Sequence, residues 1–291
     1  MSLTILITII SLSLLALFSS IILYFIAQKF KVFEDPRIDE VQALLPAANC
    51  GGCGFAGCRN FAEALVKAET FEGLNCPVGG AVVMGSVAKL LGKEAPAVDP
   101  MVAVLLCNGS PEFRPRTSKY NGASDCRISH SLYVGETDCS YGCLGLGDCV
   151  RACAFDAIYM NNETELPVII DDKCVSCGAC VKACPRKIIE LRKKAKKDRK
   201  IYVACSNCEK GGPARRACKV TCIACGKCVK ACKFDAITIE NNLAYIHANK
   251  CTFCRKCVTE CPTSCIIEVN FPPRKPSIEV QAEVVNDSPN V

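Results

Sequence analysis

Four short runs of cysteine limit how most of this chain can fold, because each packs four thiols into a space too small for a conventional apolar core. The two most regular read Cys174-x2-Cys177-x2-Cys180-x3-Cys184-Pro185 and Cys251-x2-Cys254-x2-Cys257-x3-Cys261-Pro262. That is the bacterial spacing for cubane iron–sulfur clusters. Three thiolates within seven residues wrap around one cubane and can each take one of its irons. The fourth lies on the following turn, points away, and reaches a second cluster held by a partner run.

Each run has such a partner upstream. Cys222-x2-Cys225-x2-Cys228-x3-Cys232 has the standard form, and Cys139-x3-Cys143-x5-Cys149-x3-Cys153 is a stretched variant. Crossed ligation then predicts four [4Fe-4S] clusters. Cys139, Cys143 and Cys149 share one with Cys184; Cys174, Cys177 and Cys180 share one with Cys153. Cys222, Cys225 and Cys228 pair with Cys261, while Cys251, Cys254 and Cys257 pair with Cys232. A fifth cluster is expected at Cys50-Gly-Gly-Cys53-Gly-Phe-Ala-Gly-Cys58 with Cys76-Pro77. Its glycines let the backbone come close and offer N–H groups to sulfur. A helix from about Arg59 points its positive end at the anionic cluster.

Two other uses of cysteine compete with this reading. Structural zinc takes four donors around one ion, usually from two knuckles a dozen or more residues apart, whereas each run here has one diverging thiol. Disulfides belong to oxidising compartments, and the N-terminal sequence argues against export. Six of the 26 cysteines fall outside the five sites: Cys107, Cys126, Cys205, Cys208, Cys218 and Cys265. They read equally as small buried hydrophobes or as a sixth cluster gathered from distant segments, with Cys107, Cys126, Cys205 and Cys218 the first candidates.

Residues 1–28 carry no charge, and Leu3 to Ala27 is almost wholly apolar. Twenty-five helical residues span about 37 Å, enough to cross a bilayer with some tilt. There is no basic start and no small-residue cleavage site of the kind a removed signal would carry. Lys29 and Lys31 follow the span and no cation precedes it. A single-pass anchor in the cytoplasmic (inner) membrane is therefore expected, with the body on the cytoplasmic side.

The predicted class is α+β, made of small loop-rich iron–sulfur modules behind one transmembrane helix. The parts are an anchor over 1–28, a four-cysteine [4Fe-4S] domain over 29–95 and a connecting segment over 96–131. A first ferredoxin-like module of the bacterial two-cluster type covers 132–192. A basic linker occupies 193–213, a second such module 214–270, and a flexible, Pro- and charge-rich tail 271–291. The prolines of Ala95-Pro96-Ala97-Val98-Asp99-Pro100 mark a boundary, and Met101 to Cys107 reads as one buried strand. Residues 108–131 suggest no task. The modules form a repeat, with Phe-Asp-Ala-Ile after the first run of each, at 155–158 and 234–237. Domains this small have little apolar core, so cluster ligation supplies much of their folding energy.

The basic stretch Arg192 to Lys200 reads first as a solvated linker and second as a docking patch for an acidic redox carrier. No aromatic platform accompanies it, so nucleic acid is not an expected partner. Gly52-x-Gly54-x-x-Gly57 matches a dinucleotide fingerprint by letter only, since it follows no strand and is threaded with ligand cysteines. His130 and His247 sit in no metal-like pair and read as structural. No residue is expected to make or break substrate bonds.

The order of parts resembles the B subunit of the Rnf electron-transport family, in its longer form. The resemblance covers nearly the whole chain. It rests on the N-terminal span, Glu34-Asp35-Pro36-Arg37, Asn49-Cys50-Gly-Gly-Cys53-Gly-x-x-Gly-Cys58, and Ser140-Tyr141-Gly142-Cys143-Leu144-Gly145 with Gly147-Asp148-Cys149. It implies a membrane subunit that takes electrons from reduced soluble ferredoxin and hands them to partner subunits. Those partners bind flavin and nicotinamide and couple electron flow to sodium or proton transport. Ala154 and Lys233 stand after Cys153 and Cys232 where the ferredoxin run has proline, which changes local packing and keeps the ligands. Three other roles compete with this one: an anchored feeder for a different membrane oxidoreductase, an enzyme with a Lewis-acid cluster, and a cluster-loss sensor. The Lewis-acid role wants a three-cysteine site, and the sensor wants an effector module; neither is visible.

Overall fold

A computed structural model describes residues 3–29, 35–95, 99–132 and 135–273. Lys31, Glu34, the boundary residues 96–98 and the tail from 274 lie outside the described residues. The N-terminal segment is one helix, α1 (Leu3–Lys29), long and apolar enough to cross a membrane. Its large side chains from Ile5 to Ile26 are exposed. Within it, the Ser11, Ser13 and Ser19 hydroxyls donate to carbonyls three or four residues back, at 2.8–3.0 Å. Such internal bonds are how hydroxyls are satisfied where water is absent.

The four-cysteine domain is built from three short helices. Helices α2 (Arg37–Leu44), α3 (Cys58–Lys67) and α4 (Gly80–Leu91) bury Val41, Phe61, Leu65, Met84 and Val87 against each other. The helix expected near Arg59 begins at Cys58, whose N–H donates to Asn49 Oδ1 at 2.8 Å. At its other end, Lys93 Nζ donates to the Leu65 carbonyl at 2.8 Å and to that of Ala68, closing α3 with a cation where its dipole favours one.

Two similar units follow. In the first, the predicted buried strand forms as β1 (Met101–Leu105). Helices α5 (Cys126–Leu132) and α6 (Asp148–Arg151), hairpin β2 (Ile158–Met160) and β3 (Pro167–Ile169), helix α7 (Ala179–Ala183) and β4 (Ile189–Lys193) complete the unit. β1 pairs antiparallel with β4, Met101 opposite Lys193 and Leu105 opposite Ile189. In the second, β5 (Lys200–Val203) precedes helices α8 (Gly211–Ala217) and α9 (Lys227–Ala231), hairpin β6 (Ile237–Glu240) and β7 (Leu243–Ile246), helix α10 (Lys256–Thr259) and β8 (Ile266–Val269). β5 pairs antiparallel with β8, Lys200 opposite Val269 and Val203 opposite Ile266. Every residue of β5 is buried. The run Lys-Ile-Tyr-Val, hidden behind six cations in the sequence, thus belongs to the fold of module 2.

The two sheets meet. Val104 of β1 buries against Tyr202 and Ala204, with Ile267 and Val269 alongside. Arg192 lies in this junction, 5% exposed, beside the Tyr202 and Tyr245 rings at 5.6 and 5.0 Å and paired with Glu190. Lys200 pairs with Asp171 at 2.6 Å, and Lys193 with Asp99 at 2.7 Å. Much of the basic stretch is therefore neutralised at the junction. Lys196 and Lys197 are its exposed cations without an ion pair among the described residues.

Candidate metal centres

In the four-cysteine domain, Cys76 is buried in the helical core, and Cys53 and Cys58 pack against it. Burial pushes the Cys76 thiol up, Cys53 and Cys58 add to this, and the Gly79 N–H opposes it by donating to Cys76 Sγ at 3.3 Å. The Cys50 loop does not face solvent alone. A Cβ on Gly52 would stand 3.0 Å from the Cys177 carbonyl oxygen and 3.1 Å from Cys177 Cα. Burial raises the Cys177 thiol, and Cys50 also acts on it, ahead of Cys153 and Cys174. The four-cysteine domain therefore abuts the second run of module 1.

In module 2, thiols from the two runs share a cavity. It is lined by Cys222, Cys225, Cys228 and Cys261, with Pro262 and Thr263 at its edge. Burial, then Cys251, Cys254, Cys228 and Cys232, pushes Cys257 up to about 12. Cys265 is an unpredicted neighbour: its Sγ lies 3.5 Å from Cys261 Sγ. Hydrogen bonding by this thiol holds Cys261 down at about 5.

Module 1 differs. In its second run, Cys180 is pushed up to about 12 by burial and then by Cys174 and Cys177. Around the first run, a cavity is lined by Cys126, Cys143, Cys149 and Cys184. Cys126 stands in it and Cys139 does not. Asp148 Oδ1 accepts the Cys126 N–H at 2.9 Å, while Arg151 donates to the Ser124 and Leu146 carbonyls, each at 2.9 Å. Burial raises Cys149 to about 11, with Cys126 and Cys184 the next causes. The reason for the exchange is legible in the repeat. Cys143, Cys149 and Cys153 recur 79 residues later as Cys222, Cys228 and Cys232, and by the same step Leu146 stands where module 2 has Cys225. A thiol is missing at 146, and the segment 108–131 supplies it.

Cys139 lies instead among the thiols of Cys107, Cys205 and Cys218. Burial pushes Cys218 up to about 11, followed among the thiols by Cys107, Cys139 and Cys205. Burial also raises Cys205, with Cys107 contributing. Cys208 is half-buried, its thiol donating to the Ser206 carbonyl at 3.7 Å. All described cysteines are free thiols. No three His, Cys, Asp or Glu side chains among the described residues converge on a single ion position. Thiols spread around a volume suit a cubane, which takes each sulfur on a different iron, better than one tetrahedral zinc. His247 Nε2 lies 3.1 Å from Thr238 Oγ1 and its ring edges onto Tyr245, a structural setting.

Comparison with known proteins agrees with these units. Residues 45–78 match a family described as an Fe-S cluster, and residues 137–188 and 221–265 match the 4Fe-4S dicluster domain. The chain is 46% identical over 240 residues to the B subunit of the Na(+)-translocating ferredoxin:NAD(+) oxidoreductase complex of Acetobacterium woodii, covering 82% of this chain and 71% of that one. It is 39% identical over 265 residues to the B subunit of the proton-translocating ferredoxin:NAD(+) oxidoreductase complex of Clostridium ljungdahlii, covering 90% and 92%. It is 38% identical over 246 residues to the B subunit of the ion-translocating oxidoreductase complex of Methanosarcina acetivorans, covering 84% and 91%.

Proposed function

This chain belongs to the B-subunit family of Rnf-type ion-translocating ferredoxin:NAD oxidoreductase complexes, and from that premise we propose that it carries electrons from reduced ferredoxin to flavin- and nicotinamide-binding partner subunits. It is an iron–sulfur electron-transfer subunit with 4Fe-4S domains. In the proposal, Cys50, Cys53, Cys58 and Cys76 hold one cluster, and Cys174, Cys177, Cys180 and Cys153 a second. Cys222, Cys225, Cys228 and Cys261 hold a third, Cys251, Cys254, Cys257 and Cys232 a fourth, and the Cys143, Cys149 and Cys184 cavity a fifth. A [4Fe-4S] cluster, when bound, takes up and releases single electrons with little movement of its ligands. The chain's own residues hold the sulfurs, exclude water and tune the potential through N–H donors.

The observation that carries the reading is the contrast in charge and exposure between the modules. Module 2 (214–270) has nine Lys and Arg against four Asp and Glu, while module 1 (132–192) has six against nine. Cys225 and Cys254 of module 2 are exposed, with exposed Lys227, Lys230, Lys233, Lys250 and Lys256 on the same module. An electropositive face with ligands at its surface suits an acidic electron donor, whose approach such a field accelerates. The opposite end of the chain of sites adjoins the four-cysteine domain, which leads back to α1. With Lys29 at the end of α1, the positive-inside rule puts the body on the cytoplasmic side of the membrane. The reading supposes further subunits of the complex beside this one.

The test uses the full chain, purified in detergent without oxygen. A catalytic amount of reduced ferredoxin with its regenerating system should bleach the cluster absorbance rapidly and nearly completely, as a strong chemical reductant does. Bleaching by the chemical reductant alone would reject this chain as the acceptor and make it an interior relay.

A further inference from the structure

We propose that Cys107, Cys139, Cys205 and Cys218 hold a sixth [4Fe-4S] cluster at the junction of the two modules, and that Cys126 completes the Cys143, Cys149 and Cys184 site in place of Cys139. The inference rests on the reading of the cysteine runs as cubane sites and goes beyond it in number and in ligand assignment.

The fold brings these four thiols together from four separate segments. Cys107 stands two residues beyond β1 and Cys205 two residues beyond β5. The two strand ends are bonded to each other: the Asn108 N–H donates to the Ala204 carbonyl at 3.0 Å, and Ser206 Oγ to the Leu106 carbonyl at 2.9 Å. Cys139 and Cys218 are repeat equivalents, standing four residues before Cys143 and Cys222 respectively. Each unit therefore contributes one thiol from a strand end and one from the approach to its first run.

Asn207, 1% exposed, links two of these segments. Its backbone N–H donates to Cys205 Sγ at 3.4 Å, and its Nδ2 lies 3.7 Å from Cys139 Sγ. The Cys143 N–H donates to Cys107 Sγ at 3.4 Å. All three are the N–H···S contacts that cluster thiolates use.

A second observation comes from Arg114. It is 9% exposed and its Nη2 donates to the Cys143 carbonyl at 2.8 Å, yet its Nε and Nη1 are buried without a hydrogen-bond partner. The guanidinium lies between two glycines that flank the thiols. A Cβ on Gly109 would stand 3.3 Å from both Arg114 Nε and Cys218 Sγ. A Cβ on Gly142 would collide with Arg114 Nη1 and stand 3.5 Å from Cys139 Sγ. An unpaired buried cation is costly, and four neutral thiols used merely as small hydrophobes would leave that cost in place. An anionic four-thiolate cluster between Cys139 and Cys218 gives the two bare N–H groups their acceptor and the charge its partner. With this site filled, 24 of the 26 cysteines form six sets of four, leaving Cys208 and Cys265.

The test is a count of iron and acid-labile sulfide on the full chain, purified without oxygen. Six clusters give about 24 irons per chain and five give about 20, so the lower value overturns the proposal. Cys107→Ala and Cys139→Ala should each remove about one-sixth of the iron, and the double variant no more than either single one. Cys107→Ala with Cys126→Ala should remove about one-third. Loss by Cys139→Ala that adds to loss by Cys107→Ala overturns the assignment. Cys208→Ala, as control, should leave the count unchanged. Should the alanine variants fail to fold, Arg114→Gln decides: the iron stays, and one cluster's paramagnetic signal appears only at a lower potential. Unchanged signals from that variant reject the site. The iron count is read without ferredoxin and says nothing of the electron donor, so the two readings fail separately.

Discussion

In module 2 the first cavity draws Cys222, Cys225 and Cys228 from seven consecutive residues, while in module 1 the corresponding thiols are Cys126, Cys143 and Cys149, spread over twenty-four. The cavity is kept and the route of the chain around it is not. Loop-closure entropy grows only slowly with length, so a ligand from a distant helix costs little more than one from the adjacent turn. The tether of Asp148 and Arg151 to residues 124, 126 and 146 then holds that ligand in place. Module 2 needs no such tether, and at the position of Asp148 it carries the exposed Lys227. What a cubane site specifies is four sulfurs around a volume, whatever their order in the chain.

The comparison can be broken most directly at the ligands. Cys126→Ala should cost about four irons per chain, the same loss as Cys225→Ala; full iron content in Cys126→Ala would return module 1 to local ligation. Next in size is the donor face. Reversing Lys227, Lys230 and Lys233 to Glu should slow reduction by an acidic carrier roughly tenfold or more at low ionic strength, with the difference shrinking in salt. Reversing Lys173 and Lys182 of module 1 should change that rate little, as followed by stopped-flow absorbance.

A third test separates the modules by what leans on them. Gly52→Val places a side chain against the Cys177 backbone and Pro77, and should lower stability by about 1–3 kcal/mol in thermal unfolding under nitrogen. A test of similar size concerns the tether. Asp148→Ala removes a buried acceptor from the Cys126 N–H and should cost about 1–3 kcal/mol, against about 0.5 kcal/mol or less for Lys227→Ala at the exposed equivalent. Equal costs would mean that the first residues of α6 and α9 serve their modules alike.

Most of the architecture was legible because thiol spacing and helix signals are local. The three standard runs, the Cys50 to Cys76 domain, the apolar helix and the strand after Pro100 all carry their information within a few residues. Cys126 was not, since its neighbours Asp125, Arg127 and Ile128 say nothing about a cavity formed by α6 and Cys184. The signal that would have found it is the gap at Leu146 when the two modules are superposed by sequence. β5 escaped for a different reason. The cations before it set the character of the stretch, while burial of Lys200 beside Asp171 and of Arg192 on two tyrosines depends on partners far along the chain. Cys265 was unreadable because its counterpart in module 1, Ile188, fills the same space with no sulfur at all.

The buried strand β5 also decides how this protein can be taken apart. A fragment begun at residue 214, where the cysteine runs alone would place the border, leaves β8 with a bare edge of N–H and carbonyl groups, an invitation to aggregate. A cut just before Lys200 keeps that edge covered. It also sends Cys205 and Cys218 away with one piece and leaves Cys107 and Cys139 with the other, so that a cut at the seam would split the proposed cluster site as well.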